Sequence, residues 1–470
     1  MAAAGGMALR ADAQSSAAAP VPRPLVTAVF PSTPPESALI FRRIRGAGAT
    51  VTRFALYWSH VARKRPETAQ EARDPAFAGY DWRQYDQRVR WAVASGLRPL
   101  LTFQEAPSWA HKGPDYAVTD VDGAAFANFA RAAATRYSGR YAGLPRVRYW
   151  MVWNEPNLGT YLNPQFREGK PYAPLVYRDL VNRVADAVHG ARSDNLVVAG
   201  GTAPFTAWTK DSKERWGMGP LTFMRAMLCL SQTRKPKPVC SARAKFDVWA
   251  HHPYTSGGPT HHAFRPDDVS LGDLPEMRAV LDAAIQYRRI ASRATPQFWV
   301  TEFSWDTKPP DPGGLSLTLH GRWAAEALYQ MWKSRVSLVT WWGIRDQPYP
   351  AFPFQSGLYL RGSTIERDRP KPAFRAFRFP FVAYPRGGGV LVWGRVPSSR
   401  TALVRIEQKV GAEWRSLAVR RADRYGIFAA TLPRRGRGVL RARTGAETSL
   451  SFSLTSPRDR FLYPFGDWHP

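Results

Sequence analysis

Eight short apolar runs recur along the chain, each followed by a polar or amphipathic stretch long enough for a helix, and nothing else constrains the fold as much. The runs are Leu25–Phe30, Thr50–Tyr57, Arg98–Phe103, Val147–Trp153, Leu196–Gly200, Phe246–His251, Gln297–Thr301 and Ser337–Trp341. Between them lie segments such as Tyr80–Ser95, Phe126–Tyr137, Tyr172–Gly190, Leu274–Ser292 and Leu315–Lys333, with Gly46, Gly48, Gly96 and Gly190 placed where helices should end. The runs are too apolar to have a wet face, which predicts a parallel sheet covered by helices. Eight repeats favour closure into a (β/α)8 barrel over an open doubly wound sheet. No glycine-rich dinucleotide or phosphate-binding fingerprint follows the first run.

The pattern changes after Pro380. Gly387–Gly389 opens a region of shorter alternating runs, VLVWGRV, TALVRIEQ, WRSLAV, GIFAATL, GVLRAR and SLSFSL, separated by turn residues. Alternation at this spacing predicts a small antiparallel β-sandwich. A chain of 470 residues has room for both units and a sizeable core. The expected layout is a disordered leading segment at 1–24, a catalytic barrel at 25–380, a sandwich at 387–455 and an aromatic tail at 456–470. Trp393 and Trp414 are expected in the sandwich core.

The leading segment is rich in Ala, Ser and Pro, and its Ala11-Asp12-Ala13 resembles a small-residue cleavage site behind a short apolar stretch. That reading makes the protein secreted or displayed at the cell surface, with a cytoplasmic location as the alternative. Cys229 and Cys240 form one loop-closing disulfide if the chain is exported and are two free thiols if it is not. No run reaches the roughly 18 apolar residues of a membrane-spanning helix. The net charge of +29 is spread along the chain, without a basic motif interleaved with aromatics. It reads as a solvated basic surface with no nucleic-acid partner; attraction to anionic cell-wall polymers is compatible with it.

Chemistry enters at the ends of two runs. VRYWMVWNEPN stops at Glu155, flanked by Asn154 and Pro156. Proline disfavours the right-handed helical region for the residue before it and lacks an N–H, so Glu155 should close a strand. QFWVTE ends the same way at Glu302. The carboxyl ends of barrel strands are where such folds carry chemistry, and two glutamates delivered there fit the paired carboxylates of glycoside cleavage. The plain competitor for each is a capping or salt-bridged structural carboxylate. His251, His252, His261 and His262 raise a metal reading, but adjacent strand residues point to opposite faces and no carboxylate stands at a recognised ligand spacing, so no metal site is expected. Nucleophile motifs such as G-x-S-x-G are absent.

WNEPN after the fourth run, HHPY after the sixth, VTEFSW after the seventh and WWGIRD after the eighth resemble the clan A glycoside hydrolases, especially the cellulase-like families 5 and 39, over roughly Leu25–Phe379. The resemblance implies a retaining enzyme with Glu155 as general acid/base and Glu302 as nucleophile. It also implies that Arg53, ending TVTRF, and Tyr254 hydrogen-bond Glu302, that Asn154 binds the sugar 2-hydroxyl, and that His252 contacts the substrate or stands just behind it. Trp342 would floor the first sugar subsite; its neighbour Trp341 competes for that role, because a one-residue slip reverses which side chain faces inward. An apolar surround from Trp150 and Trp153 would raise the pKa of Glu155. One departure stands out: TFQEAPSWA places Gln104 and Glu105 where cellulase-like members often have a histidine, leaving the identity of the sugar open.

Together these readings describe a retaining glycoside hydrolase acting on an oligo- or polysaccharide or other glycoside of β linkage, with no cofactor. The alternatives are a transglycosylase with the same site and a non-catalytic glycan-binding protein on a retired barrel.

Overall fold

The structure of the chain, a computed structural model, describes residues 22–31, 37–114, 118–208, 216–433 and 438–455. The expected tail at 456–470, and the leading segment up to residue 21 with Ala11-Asp12-Ala13, lie outside the described residues. Eight parallel strands form a ring: β1 Val26–Val29, β2 Val51–Tyr57, β3 Arg98–Gln104, β4 Tyr149–Val152, β5 Leu196–Thr202, β6 Val248–His251, β7 Gln297–Val300 and β8 Leu338–Trp341. Each pairs with the next, and β8 returns to β1 with Val26 against Leu338 and Val29 against Trp341. Helices α1 Ala38–Gly46, α2 Arg83–Ala94, α3 Gly123–Arg136, α4 Ala173–Ala191, α5 Pro220–Met227, α6 Leu274–Gln286, α7 Leu317–Lys333 and α8 Pro372–Arg378 accompany the ring. The alternation of runs therefore forms the closed (β/α)8 barrel it predicts.

Side-chain periodicity explains where the site must be. A small apolar plug fills the barrel from alternate positions, including Ala28, Val51, Leu100, Met151, Val248, Trp299 and Leu338, while the intervening residues pack outward in a much larger core. Counting on by twos toward the carboxyl ends changes the chemistry: Val51 leads to Arg53, Leu100 to Thr102, Trp299 to Thr301, and Leu338 through Thr340 to Trp342. The strands are apolar at the floor and polar at the mouth. Caps define the helix starts, with the Ser37 hydroxyl accepting from the first turn of α1 and the Asp122 carboxylate from that of α3.

After α8 come two antiparallel sheets. One is β9 Phe381–Arg386, β10 Gly389–Arg395 and β13 Ile427–Pro433; the other is built on β12 Glu413–Arg421, β11 Leu403–Val410 and β14 Val439–Thr444, in that order. The first strand thus begins at Phe381, ahead of the expected boundary at Gly387. Gly387, at φ +55°, forms the turn of the β9–β10 hairpin, so the glycines mark its middle instead of its start.

Trp393 on β10 is fully buried, with ring centroids 5.4 Å from Tyr329 and 5.6 Å from Trp332 of α7. Trp414 differs from the expectation: it sits on an edge strand, partly exposed, with the Arg441 guanidinium 4.0 Å from its ring. Arg395 ties β10 to the amino end of β1, donating to Leu25 O (3.0 Å) and Thr27 Oγ1 (3.1 Å), and also to Phe377 O (3.3 Å). Cys229 and Cys240 are joined as a disulfide, Cα atoms 5.3 Å apart. Among the described residues no helix is long and apolar enough to cross a membrane.

Candidate active site

Arg53 is the hub of the barrel mouth. Only 1% exposed, it donates through Nε to Thr102 Oγ1 (3.0 Å), through Nη1 to Thr301 O (3.0 Å) and Glu302 Oε2 (2.8 Å), and through Nη2 to Asn154 Oδ1 (3.1 Å). One planar guanidinium thereby connects β2 with β3 and with the segments that leave β4 and β7. Lysine, with a single nitrogen, has no such fork. The other Glu302 oxygen, Oε1, accepts from the Tyr254 hydroxyl at 2.9 Å. Burial, then the adjacent Glu302 charge, pushes that phenol well above its ordinary value, so Tyr254 stays a donor.

Glu155 lies across from Glu302. Its Oε1 is 3.0 Å from His252 Nδ1, whose ring is fully buried; the same nitrogen is 4.0 Å from Glu302 Oε2, and Nε2 is 3.1 Å from Thr301 Oγ1. Burial holds His252 down to about 3, so the imidazole is neutral at neutral pH and has one ring N–H and one acceptor nitrogen. Burial also raises the Glu155 carboxyl to about 7 against the opposing pull of Arg53. One oxygen from each carboxyl and one His252 nitrogen lie within 4.8 Å of one another. Those are atoms of the kind that ligate a metal, yet Arg53 at 2.8 Å from Glu302 already supplies a positive charge that opposes a second one there. His251 turns the other way, to Thr202 Oγ1 and Val269 O at 2.8 Å each, and His262 pairs with Asp273 at 2.6 Å.

The backbone around Glu155 is bent sharply. Trp153 has φ +67° and Glu155 φ +41°, left-handed conformations uncommon for residues with a side chain. Pro156 does exclude the right-handed helix for Glu155, but the chain responds with a left-handed turn instead of an extended one. The turn is held by Glu155 N donating to Gly201 O (3.0 Å) and by buried Asn157, whose amide bonds Ala203 O, Met218 O and Ala203 N. Gly200 and Gly201, at φ +91° and +58°, precede the last residue of β5, Thr202; a Cβ on Gly201 would meet the Met151 methyl and reach 3.4 Å from His252 Nε2.

The rim separates the remaining candidates. Trp342 is partly exposed and packs on Phe30 (4.3 Å), whose ring is 5.6 Å from the Arg53 guanidinium, whereas Trp341 is buried on the outer side of β8 against His320 and Phe377. The even count from Leu338 thus places Trp342 at the mouth. Trp150 faces outward too, stacked on Phe103 (5.4 Å), and Trp153 packs on Phe126; the expected apolar surround from Trp150 is not on the carboxyl's side. Glu105, at φ +52° and more than half exposed, stands 3.9 Å from His60 Nε2, and His60 is 4.8 Å from the Tyr57 ring. Burial and then Glu105 raise the Tyr57 phenol. Tyr57, Thr102, Thr301 and Tyr161, whose hydroxyl bonds the Asn154 side chain, are site residues that sequence reasoning missed. The threonines were reachable by counting two positions on from an inward apolar residue; Tyr161 lies in a loop with no period to count.

Residues 22–308, more than half of the chain, match the family model described as cellulase (glycosyl hydrolase family 5). Among solved structures the chain is similar to a family 39 glycoside hydrolase from the gut symbiont Bacteroides cellulosilyticus WH2, at 17% identity and TM-score 0.52, over 87% of this chain and 79% of that one. A glucosidase from Croceicoccus marinus aligns at 14% identity and TM-score 0.47 over 84% and 77% of the two chains. Cel5A from Thermotoga maritima, in complex with mannotriose, aligns at 14% identity and TM-score 0.44 over 75% and 97%. The first of these likenesses is one of fold. No curated protein matches the sequence.

Proposed function

The chain belongs to the cellulase family, glycosyl hydrolase family 5, and we propose that it is a retaining glycosidase that cleaves β-linked oligo- or polysaccharides by double displacement. The observation that carries this reading is the approach of one oxygen of Glu155 and one of Glu302 to within 4.8 Å. Carboxyl groups roughly 5–5.5 Å apart accompany a carboxylate nucleophile; wider pairs leave room for an attacking water.

Glu155, protonated up to about pH 7, donates its proton to the glycosidic oxygen as the C–O bond breaks. Glu302 attacks the anomeric carbon from the opposite face and forms an ester. Glu155, now a carboxylate, takes a proton from water; the water oxygen bonds to the anomeric carbon, the ester C–O bond breaks, and the sugar leaves with its configuration kept. Arg53 and Tyr254 orient Glu302 and stabilise its negative charge. Neutral His252 accepts the Glu155 proton's hydrogen bond at Nδ1 while its Nε2–H points to Thr301. Asn154 contacts the 2-hydroxyl, and Trp342 provides the apolar floor. The Cys229–Cys240 disulfide supports export to an oxidising compartment.

The test is a screen of aryl β-glycosides followed by inactivation with the matching 2-fluoro glycoside. The expected label is an ester on Glu302. Equal turnover by wild type and Glu302→Ala, or a label on another residue, overturns the assignment.

A further inference from the structure

The outer face of the second C-terminal sheet has no architectural explanation. Its inner face is regular: Val404 and Ile406 of β11 and Leu440 and Ala442 of β14 are buried. The alternate residues form the outer face, and they include four exposed cations, Arg405, Lys409, Arg421 and Arg443, and the half-buried Arg441. Among the described residues of this face the carboxylate is Glu407, already engaged by Arg441 at 2.7 Å and Arg443 at 3.6 Å. Arg405 is set directly across the ladder from Arg443, an arrangement that destabilises a sheet unless something else compensates it. Between the cations lie exposed apolar side chains: Leu403, 68% exposed, opposite Arg421; Val419, 50% exposed, opposite Arg405; and Trp414 opposite Lys409.

We propose that this sheet face is a binding surface for an anionic polysaccharide, its acid groups spaced along an extended chain and meeting the rows of guanidinium and ammonium groups. Charge complementarity points to a polyanion, and rows of cations on strands roughly 4.8 Å apart suit an extended one. Trp414, Val419 and Leu403 offer apolar contact to the C–H faces of sugar rings. The choice of a polysaccharide over a nucleic acid rests on the glycosidase reading of the barrel; the preference for a polyanion does not. The surface would hold the enzyme on a charged glycan while the mouth works on a glycosidic bond.

The test is calorimetric titration of the full chain with polygalacturonate, dextran sulfate, neutral dextran and double-stranded DNA, at low and at physiological salt. The acidic polysaccharides should bind and neutral dextran should not, with affinity falling as salt rises. The triple variant Arg405→Ser/Arg421→Ser/Arg443→Ser should lose at least tenfold in affinity while hydrolysing a soluble aryl glycoside at the wild-type rate. A control with the same charge loss on the barrel surface, Arg42→Ser/Arg90→Ser/Arg140→Ser, should bind as wild type does. A preference for carboxylated or sulfated chains identifies the acid group. Equal losses in both triple variants, binding of neutral dextran, or tighter binding of DNA than of either acidic polysaccharide overturns the proposal. Because binding is read without turnover, an inactive barrel leaves this result interpretable.

Discussion

Two arginines, each 1% exposed, are enclosed in this molecule in different company. Arg53 at the mouth faces the Glu302 carboxylate and three neutral oxygens. Arg395 at the base meets neutral oxygens, the carbonyls of Leu25 and Phe377 and the Thr27 hydroxyl, and burial lowers its pKa to about 10. Removing a charge from water is costly, and an opposite charge offsets that cost only when geometry is good. At the base the guanidinium serves as a rigid multi-pronged donor to one carbonyl just ahead of β1 and one in the last turn of α8. At the mouth the same group is charge held in readiness. Of these two enclosed arginines, the one that shares its site with a carboxylate lies at the mouth and the one among neutral oxygens lies at the base.

That contrast can be tested residue by residue. Glu302→Ala should lower kcat/KM on an aryl β-glycoside by more than about 10³-fold, because it removes the proposed bond-forming group. Arg53→Met should lower it by roughly 10²–10³-fold, the usual loss for one preorganised charge-stabilising donor. Glu155 supplies a pH signature: kcat/KM should fall above about pH 7, and that limb should vanish in Glu155→Gln assayed with a good leaving group. Its raised folded pKa also means that the native state binds the extra proton. Stability is therefore full below the unfolded value near 4.5 and declines as pH rises through about 7, by at most about 3 kcal/mol. Chemical denaturation of Glu155→Gln across that window should show a flatter profile.

Arg395→Met should reverse the pattern of Arg53→Met, costing about 2 kcal/mol of stability through the carbonyls left unpaired, with activity unchanged. If it instead abolished turnover, the division between mouth and base would fail. The mildest change is Trp342→Ala, expected to raise KM about tenfold through lost aromatic contact, with little effect on the melting temperature.

Much of this was legible in the sequence because it depends on periods. Runs of five to eight mostly apolar residues with helical spacers define the ring, and Glu155 and Glu302 stand out as charges that end such runs. Counting by twos from Leu338 distinguishes Trp342 from Trp341, but only after a plug residue has fixed which parity faces inward. Other features have no period. The left-handed turn at Glu155 depends on Gly201 and Asn157, distant partners that no local propensity reveals. Trp150 is close to the carboxyl in sequence but packs on Phe103 away from it, because side chains along a strand alternate between its two faces. Helix α5, eight residues of PLTFMRAM, is too short for its periodicity to separate from a strand's. Trp414 is a large aromatic of the kind that usually fills cores, but its edge strand leaves it partly exposed.

The glycine pair near the end of β5 has a practical consequence for anyone who wants this cleft to accept a different sugar. Both positions lie in the left-handed region, and a Cβ at 200 would run into the Ala250 carbonyl of the neighbouring strand, so side chains there are strained and diversification falls to the connecting segments that carry Glu105 and Tyr161.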